Sequence, residues 1–295
     1  MAIVRSTYHS RLAALSSHTR RLGDKMARTQ EVAASGLKVM RPSDAAGRTS
    51  YIHSIRESRA DQSEYTSNSK WAYQHLNVVD QSLTGLAEVL SEARELAVQM
   101  SSETYNTTSR VESQADANAL FGRSLIHGNA NLGGRYVFAG EAYDSAAYDT
   151  TTGLYLGDNA DPEVAVADNN QTVLTGFDGS NLLQGTGDFV SALQNLETAL
   201  GTGDAANVRA TIDDIDAAIE QVAVARTVVG GEMLRADDGV VMAQNMTIAL
   251  AGQEADLVDA NAVESFTRLF EVQQSFEAAL QVTANSRSSL LFSRL

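Results

Sequence analysis

The sequence predicts a mainly α protein with a small β-rich insert: a long antiparallel helical bundle or coiled-coil rod built from both termini, with an outer β domain in the middle. Three observations carry this expectation. Only two prolines occur in 295 residues, and because proline breaks helices their scarcity favours long uninterrupted ones. Aromatics are sparse at 6%, which suits helices buried against each other better than a core built on ring bulk. Finally, apolar residues near both ends recur in an alternating four-three step, the step that keeps them on one helical seam.

The first seam is Tyr8, Leu12, Leu15, Thr19, Leu22, Met26, Thr29 and Ala33. The stretch "SGLKVMRPSDAAG" (35–47) interrupts it: Gly36 can stop a helix, Pro42 fixes the chain, and Ser43 or Asp44 can cap the next helix. A long helical reading then runs from Ala45 to about Asn129, softening near "SETYNTTSR" (102–110). Its seam, Val79, Leu83, Leu86, Leu90, Ala93, Ala97 and Met100, is fully apolar.

From Gly133 to Gly187 the pattern changes. "GRYVFAG", "TGLYLG", "PEVAVA" and "QTVLTG" are short β-prone runs bounded by Gly, Asp and Asn, as expected of hairpins. Gly133, Gly134 and Gly140 let the chain leave the helical body, and Tyr136, Val137 and Phe138 begin a strand. Helix resumes at Asp188, with Phe189, Leu193, Leu196 and Leu200 on one face. It continues from about Ala205 through the apolar seam Val208, Ile212, Ile215, Ile219 and Val222, with soft spots expected at Gly230-Gly231 and Gly252. The last seam is Phe266, Leu269, Gln273, Phe276, Leu280, Thr283, Arg287 and Leu290. The expected division is residues 1–44 and 261–295 as terminal assembly helices, 45–132 and 188–260 as rod helices, and 133–187 as the insert.

The seams differ in strength. The inner two bury branched aliphatics at nearly every layer and support a stable bundle. The terminal two are diluted by Thr, Gln, Arg and Ala, and gain order by pairing with each other or with neighbouring chains. An ordinary intramolecular antiparallel pair is the alternative to assembly.

The net charge of −15 hides a split. Residues 1–60 carry eleven Lys/Arg against four Asp/Glu, whereas 141–225 carry fifteen acids and only Arg209. This polarity points to a basic end meant for partners and an acidic middle meant for water. Nucleic acid is not the expected partner, because Asp24 and Glu31 interrupt the basic helix and no stacking aromatics are interleaved. Nothing approaches the length of a membrane span, and "MAIVRSTYHSRL" shows no secretory h-region or cleavage site.

Catalytic and metal-binding patterns are likewise missing. The chain has no cysteine, which excludes disulfides and thiolate sites. None of His9, His18, His53, His75 and His127 lies three or four residues from another. The acid-rich "DNADPEVAVADNN" (158–170) lacks the glycine and the final glutamate of a calcium loop. Gly133-Gly134 follow a helix, whereas a phosphate loop precedes one. No enzyme and no cofactor are expected.

Heptad-bearing termini, a cysteine-free and proline-poor chain and a β insert between two helical arms together resemble the bacterial flagellin superfamily. Three segments carry the resemblance in detail. "VAASGLKVMRPSDAAG" (32–47) is similar to the family's turn after the first helix, except that Ala45 replaces the second acid often found after Asp44. "GGRYVFAG" (133–140) looks like the entry to the outer domain in members that join hook to filament, and the C-terminal segment 264–295 resembles the final helix of those members.

The resemblance implies a structural subunit of the bacterial flagellum, extracellular and exported unfolded through the flagellar type III channel without a cleaved signal. It implies a homo-oligomeric ring with another hook-associated protein on the hook side and flagellin on the filament side. The export apparatus and an export chaperone are further implied partners. The assembly interface would include Tyr8, Leu12, Leu15, Leu22, Met26, Phe266, Leu269, Phe276, Leu280 and Leu290. Gly36, Pro42, Ser43 and Asp44 would form the turn, with Gly133, Gly134, Tyr136, Phe138 and Gly140 at the outer-domain entry. In the family the terminal helices are disordered until assembly packs them into coiled coils. Two other readings are a short flagellin that builds the filament itself and a secreted coiled-coil effector or adaptor acting as a monomer.

Overall fold

The structure is a computed structural model that describes residues 2–45, 47–167, 171–185 and 187–292. The side chains of 2–9, 11, 12 and 286–292 lie outside the description, and with them the expected interface positions Tyr8, Leu12 and Leu290. Among the described residues, seven helices and four short strands follow in the order α1 (Ala2–Ser35), α2 (Thr49–Met100), α3 (Thr107–Gly128), β1 (Asn131–Leu132), β2 (Arg135–Tyr136), β3 (Glu163–Ala167), β4 (Gln171–Leu174), α4 (Gly179–Leu183), α5 (Phe189–Thr202), α6 (Ala205–Val258) and α7 (Ala262–Phe292). The mainly α class with a small β insert is what the proline scarcity and seams required. The chain divides into two compact units, one of residues 1–59 and 248–295 and the other of 60–247.

In the second unit the inner seams form the core. Leu76, Val79, Leu83, Leu86, Leu90, Ala93 and Ala97 of α2 are fully buried, as are Leu193, Leu196 and Leu200 of α5 and Ile215 of α6. The soft spot at 102–110 is a true break, since α2 ends at Met100 and the side chain of Asn106 caps α3 by accepting from Ser109 N–H at 2.8 Å. Asp188 caps α5 in the same way, through Val190 N–H at 3.0 Å.

Other expectations need correction. α6 runs unbroken through Gly230, Gly231 and Gly252, and the chain breaks only after Val258. A helical glycine costs about 1 kcal/mol relative to alanine, too little to stop a helix flanked by good formers. In the insert, the strand begun at Arg135 ends at Tyr136, so Val137 and Phe138 do not continue it. They turn inward and are buried, and their carbonyls accept from Phe177 N–H at 3.0 Å and Gly179 N–H at 3.0 Å. "TGLYLG" is not a strand either; it contributes one isolated bridge, Tyr148 to Tyr155. The runs 162–167 and 171–176 do pair, as the antiparallel hairpin β3–β4 with a bulge between Ala165 and Ala167. The short helix α4 was not signalled by hydrophobic period, being a single turn capped by Asp178 through Ser180 N–H.

The first unit is built on the antiparallel packing of α1 against α7, with Thr19 Oγ1 and Thr283 Oγ1 at 3.3 Å. Near the far end of the pair, Leu37 bridges Asp259 and Ala260 N–H donates to the Gly36 carbonyl at 2.8 Å. Ala45, Ile52 and Val258 form a small satellite core beside them.

Candidate assembly surface

On the α1 seam, Leu15, Thr19, Leu22, Met26 and Ala33 are half-buried and Thr29 is buried, within the chain's own α1–α7 pair. On α7 the seam is displaced. Ser265 and Val272 are buried and Leu269, Phe276, Ala279 and Thr283 half-buried, whereas Phe266, Gln273 and Leu280 are exposed. Two heptad readings share Leu269, Phe276 and Thr283, and differ by one residue at the alternate layers. The structure selects the reading with the smaller side chains, Val272 and Ala279, which let the two helices approach closely. Gly23 is part of that fit, because a Cβ there would stand 3.5 Å from the Phe276 ring.

The displacement leaves a second stripe facing outward. Val263, Phe266, Phe270 and Leu280 are 77%, 50%, 69% and 45% exposed. Val263 and Phe270 were absent from the expected interface, although their seven-residue spacing, with Phe266 four before Phe270, was visible in the sequence. The terminal helices thus carry two seams, a weak one closed within the chain and an aromatic one without cover.

The turn between α1 and α2 is built differently from its sequence reading. Gly36 ends α1 with φ 72°, the left-handed conformation glycine adopts freely. Pro42 starts a 3-10 turn, Pro42–Ala45, in which Ser43 is exposed. Asp44 does not cap α2, which begins only at Thr49. Its carboxylate instead accepts from Arg41 N–H at 3.0 Å and closes the turn behind it. Arg56 Nε donates to Glu254 at 2.6 Å and Arg59 reaches the same carboxylate. These contacts, the hydrogen bond from Arg56 foremost, hold the Glu254 carboxyl below the usual carboxylate range.

At the entry to the insert, Gly133 and Gly134 have φ 62° and 87° and form the two-residue turn of the β1–β2 hairpin. Gly140, at φ 66°, leaves no room for a side chain, since a Cβ would meet Asp158 Oδ1 at 2.0 Å; that oxygen accepts from Glu141 N–H. Tyr136 is half-buried and Phe138 fully buried. The anchoring aromatics the sequence reading missed are Tyr148 and Tyr155. The Tyr148 hydroxyl donates to the Gly179 carbonyl at 2.9 Å, and its ring meets Phe189 edge-on at 5.4 Å. The Tyr155 hydroxyl donates to the Phe138 carbonyl at 3.0 Å. Burial pushes the pKa of both phenols well above the ordinary range. Arg135 stacks over Tyr143 at 3.8 Å and over Trp71 at 5.6 Å, and Trp71 lies 4.2 Å from the His75 ring. Among the described residues no group of three or more His, Asp and Glu is placed to hold a metal ion, and no helix is long and apolar enough to cross a membrane.

Residues 6–142 match the family model of the bacterial flagellin N-terminal helical region. Flagellar hook-associated protein 3 of Escherichia coli (strain K12) is 26% identical over 153 residues, which are 52% of this chain and 48% of that protein. The match therefore spans about half the length of this curated relative. The solved structure of flagellar hook-associated protein 3 from Legionella pneumophila is 13% identical with a TM-score of 0.62, covering 70% of this chain and 98% of that one. Bacillus cereus FlgL is 18% identical with a TM-score of 0.57, covering 70% and 100%. The solved structures show a shared fold, residues 6–142 are similar to the flagellin N-terminal helical region, and this chain accordingly resembles flagellar hook-associated protein 3.

Proposed function

We propose that this chain is a structural subunit of the bacterial flagellum that forms the junction between hook and filament through coiled-coil packing of its terminal helices. The observation that carries the reading is the uncovered stripe Val263, Phe266, Phe270 and Leu280 on a helix whose other seam is already occupied by α1. Burying a side chain of this size against a neighbour gives about 1.5–3 kcal/mol, and one helix presents four. The weak α1–α7 seam suits the same role, because Thr, Ala and Gly layers are readily exchanged for contacts supplied by other copies. The names of the similar proteins, hook-associated protein 3 and FlgL, support the flagellar setting.

In this reading residues 1–44 and 261–295 assemble and 133–187 face water. The chain forms a homo-oligomeric ring, with another hook-associated protein on the hook side and flagellin on the filament side. It is exported by the flagellar apparatus with a chaperone and without a cleaved signal. Catalysis has no part in it. Deleting the gene is the test: a junction subunit leaves hooks in place while flagellin leaks into the medium. Loss of filaments without leaked flagellin would assign the chain to the filament itself, and an intact, motile flagellum would remove the structural role.

A further inference from the structure

A cleft of about 310 Å³ opens in the first unit between α1 and the start of α7. Val32 and Ala260 give it an apolar floor, and Lys25, Arg28, Lys38 and Arg268 ring it against a single acid, Glu264. Arg268 is held by Glu264 at 3.3 Å, and Lys38 Nζ donates to the Asp256 carbonyl at 2.6 Å. Among the described residues the side chains of Lys25 and Arg28 have no hydrogen-bond or ion-pair partner. The first turn of α7 borders the cleft, so the positive end of that helix adds to the field. A small anion would meet the cations but leave the apolar floor bare. The volume is about twice the roughly 150 Å³ that accepts a benzene ring, enough for a large aliphatic side chain.

The second unit presents the converse surface. On α6, Leu234 is 70% and Val241 51% exposed, seven residues apart on one stripe. Asp237 and Asp238 lie between them, exposed and without a side-chain partner among the described residues. This is an apolar ridge carrying acids, where the cleft is an apolar floor carrying bases.

We propose that the basic cleft of one copy receives the Leu234–Val241 ridge of a second copy, with Asp237 and Asp238 set against Lys25 and Arg28. The proposal rests on the assembly reading above and names the surfaces that meet. Cleft and ridge are different patches, so the contact is heterologous: it repeats from copy to copy and either closes as a ring or extends as a filament. Charge complementarity steers the encounter and the apolar centre holds it.

The absence of cysteine makes a direct test available. Single-cysteine variants R28C and D238C of the full chain are mixed and treated with a short bismaleimide. The mixture is expected to yield at least about fivefold more cross-linked dimer than either variant alone, falling toward the single-variant level in about 1 M salt, where exposed charges are screened within about 3 Å. Pairing R28C with E112C, which carries a cysteine at an exposed position on α3, is the control. A mixture that cross-links no better than this control overturns the proposal, as does R28C linking chiefly to itself. In cells, K25E/R28E and D237K/D238K are each expected to lower filament number about tenfold, the scale of roughly 1.4 kcal/mol, and the fourfold variant to restore it. Failure of that rescue also overturns the contact. An intact flagellum after gene deletion would sink the assembly reading, whereas a negative cross-link with the deletion phenotype present sinks only this contact.

Discussion

Arg110 reaches across the end of its helix to Gly203, donating to that carbonyl at 3.2 Å, and at the same time donates to the carbonyls of Met100 and Ser102 at 2.8 Å. Met100 ends α2 and Gly203 caps α5, so one buried guanidinium closes the C-terminal ends of two helices where the negative end of each dipole favours a cation. Replacing it with Met keeps the aliphatic stem but strands three acceptors. Hydrogen bonds to charged groups are each worth about 1.5–3 kcal/mol, and partial access of water at this turn recovers some of the loss. R110M is expected to destabilise the second unit by about 3 kcal/mol, read as a lower urea midpoint with an unchanged slope.

The glycines separate into those a side chain would crowd and those it would not. A Cβ at Gly187 would stand 2.1 Å from the Ala217 carbonyl oxygen, a backbone atom of α6 that cannot swing aside. Gly230, in the middle of α6, has nothing within 4 Å of the same position. G187A is therefore expected to destabilise by about 2 kcal/mol through overpacking, and G230A to stabilise by about 0.5–1 kcal/mol through helix propensity. Thermal unfolding of the two variants beside the parent chain checks both signs.

The same contrast marks what the sequence made legible. Helices with long branched-aliphatic seams were readable because every layer of Val79–Met100 and Val208–Ile215 repeats one demand. Asp188 and the 102–110 break were readable because capping is local chemistry. The buried face of α7 lies one residue off the sequence seam at alternate layers because Phe266 and Leu280 outweigh Ser265 and Ala279 in hydrophobicity, while close packing against α1 prefers the smaller pair. Val137 and Phe138 read as strand because they are β-prone, yet their direction is set by carbonyl contacts with Phe177 and Gly179 about forty positions away. The Arg135, Trp71 and Tyr143 stack had no local signal at all.

His75 gives the second unit a pH dependence. Burial, with the Arg135 charge adding to it, holds its pKa below the usual 6.5; His127 is lowered in the same way by burial and Arg123. For a base depressed on folding, the unfolded chain takes up the proton first. Stability is thus full above 6.5, falls as the pH drops below 6.5 toward the folded value, and levels off beneath it. Trp71 is the only tryptophan in the chain and touches the His75 ring, so its fluorescence reports this site. H75Q is expected to flatten the loss of stability between pH 6.5 and 5 by the share due to this residue, and to remove the accompanying change in Trp71 emission. Identical pH profiles for H75Q and the parent would assign the dependence to His127 and other groups.

Under the proposed function, Phe266 and Phe270 are the residues that would separate folding from assembly. Both are exposed on α7, on the side away from the Leu269, Val272 and Phe276 layers that meet α1. Exposed substitutions away from caps and buried networks change stability by less than about 0.5 kcal/mol, so F266S/F270S is expected to leave the helical signal and unfolding midpoint of the isolated chain intact. In the assembled state the same two rings are worth about 3–6 kcal/mol together if fully buried, a loss that weakens association by two to four orders of magnitude. The variant should therefore be secreted as a folded monomer and be missing from isolated flagella, measured by immunoblot of the filament fraction against the medium. V272S, by contrast, alters the intramolecular seam and should lower the unfolding midpoint of α1 and α7 in the monomer. Incorporation of F266S/F270S at the parental level would show that the outer stripe faces water in the flagellum, and would move the assembly surface to the α1–α7 seam itself.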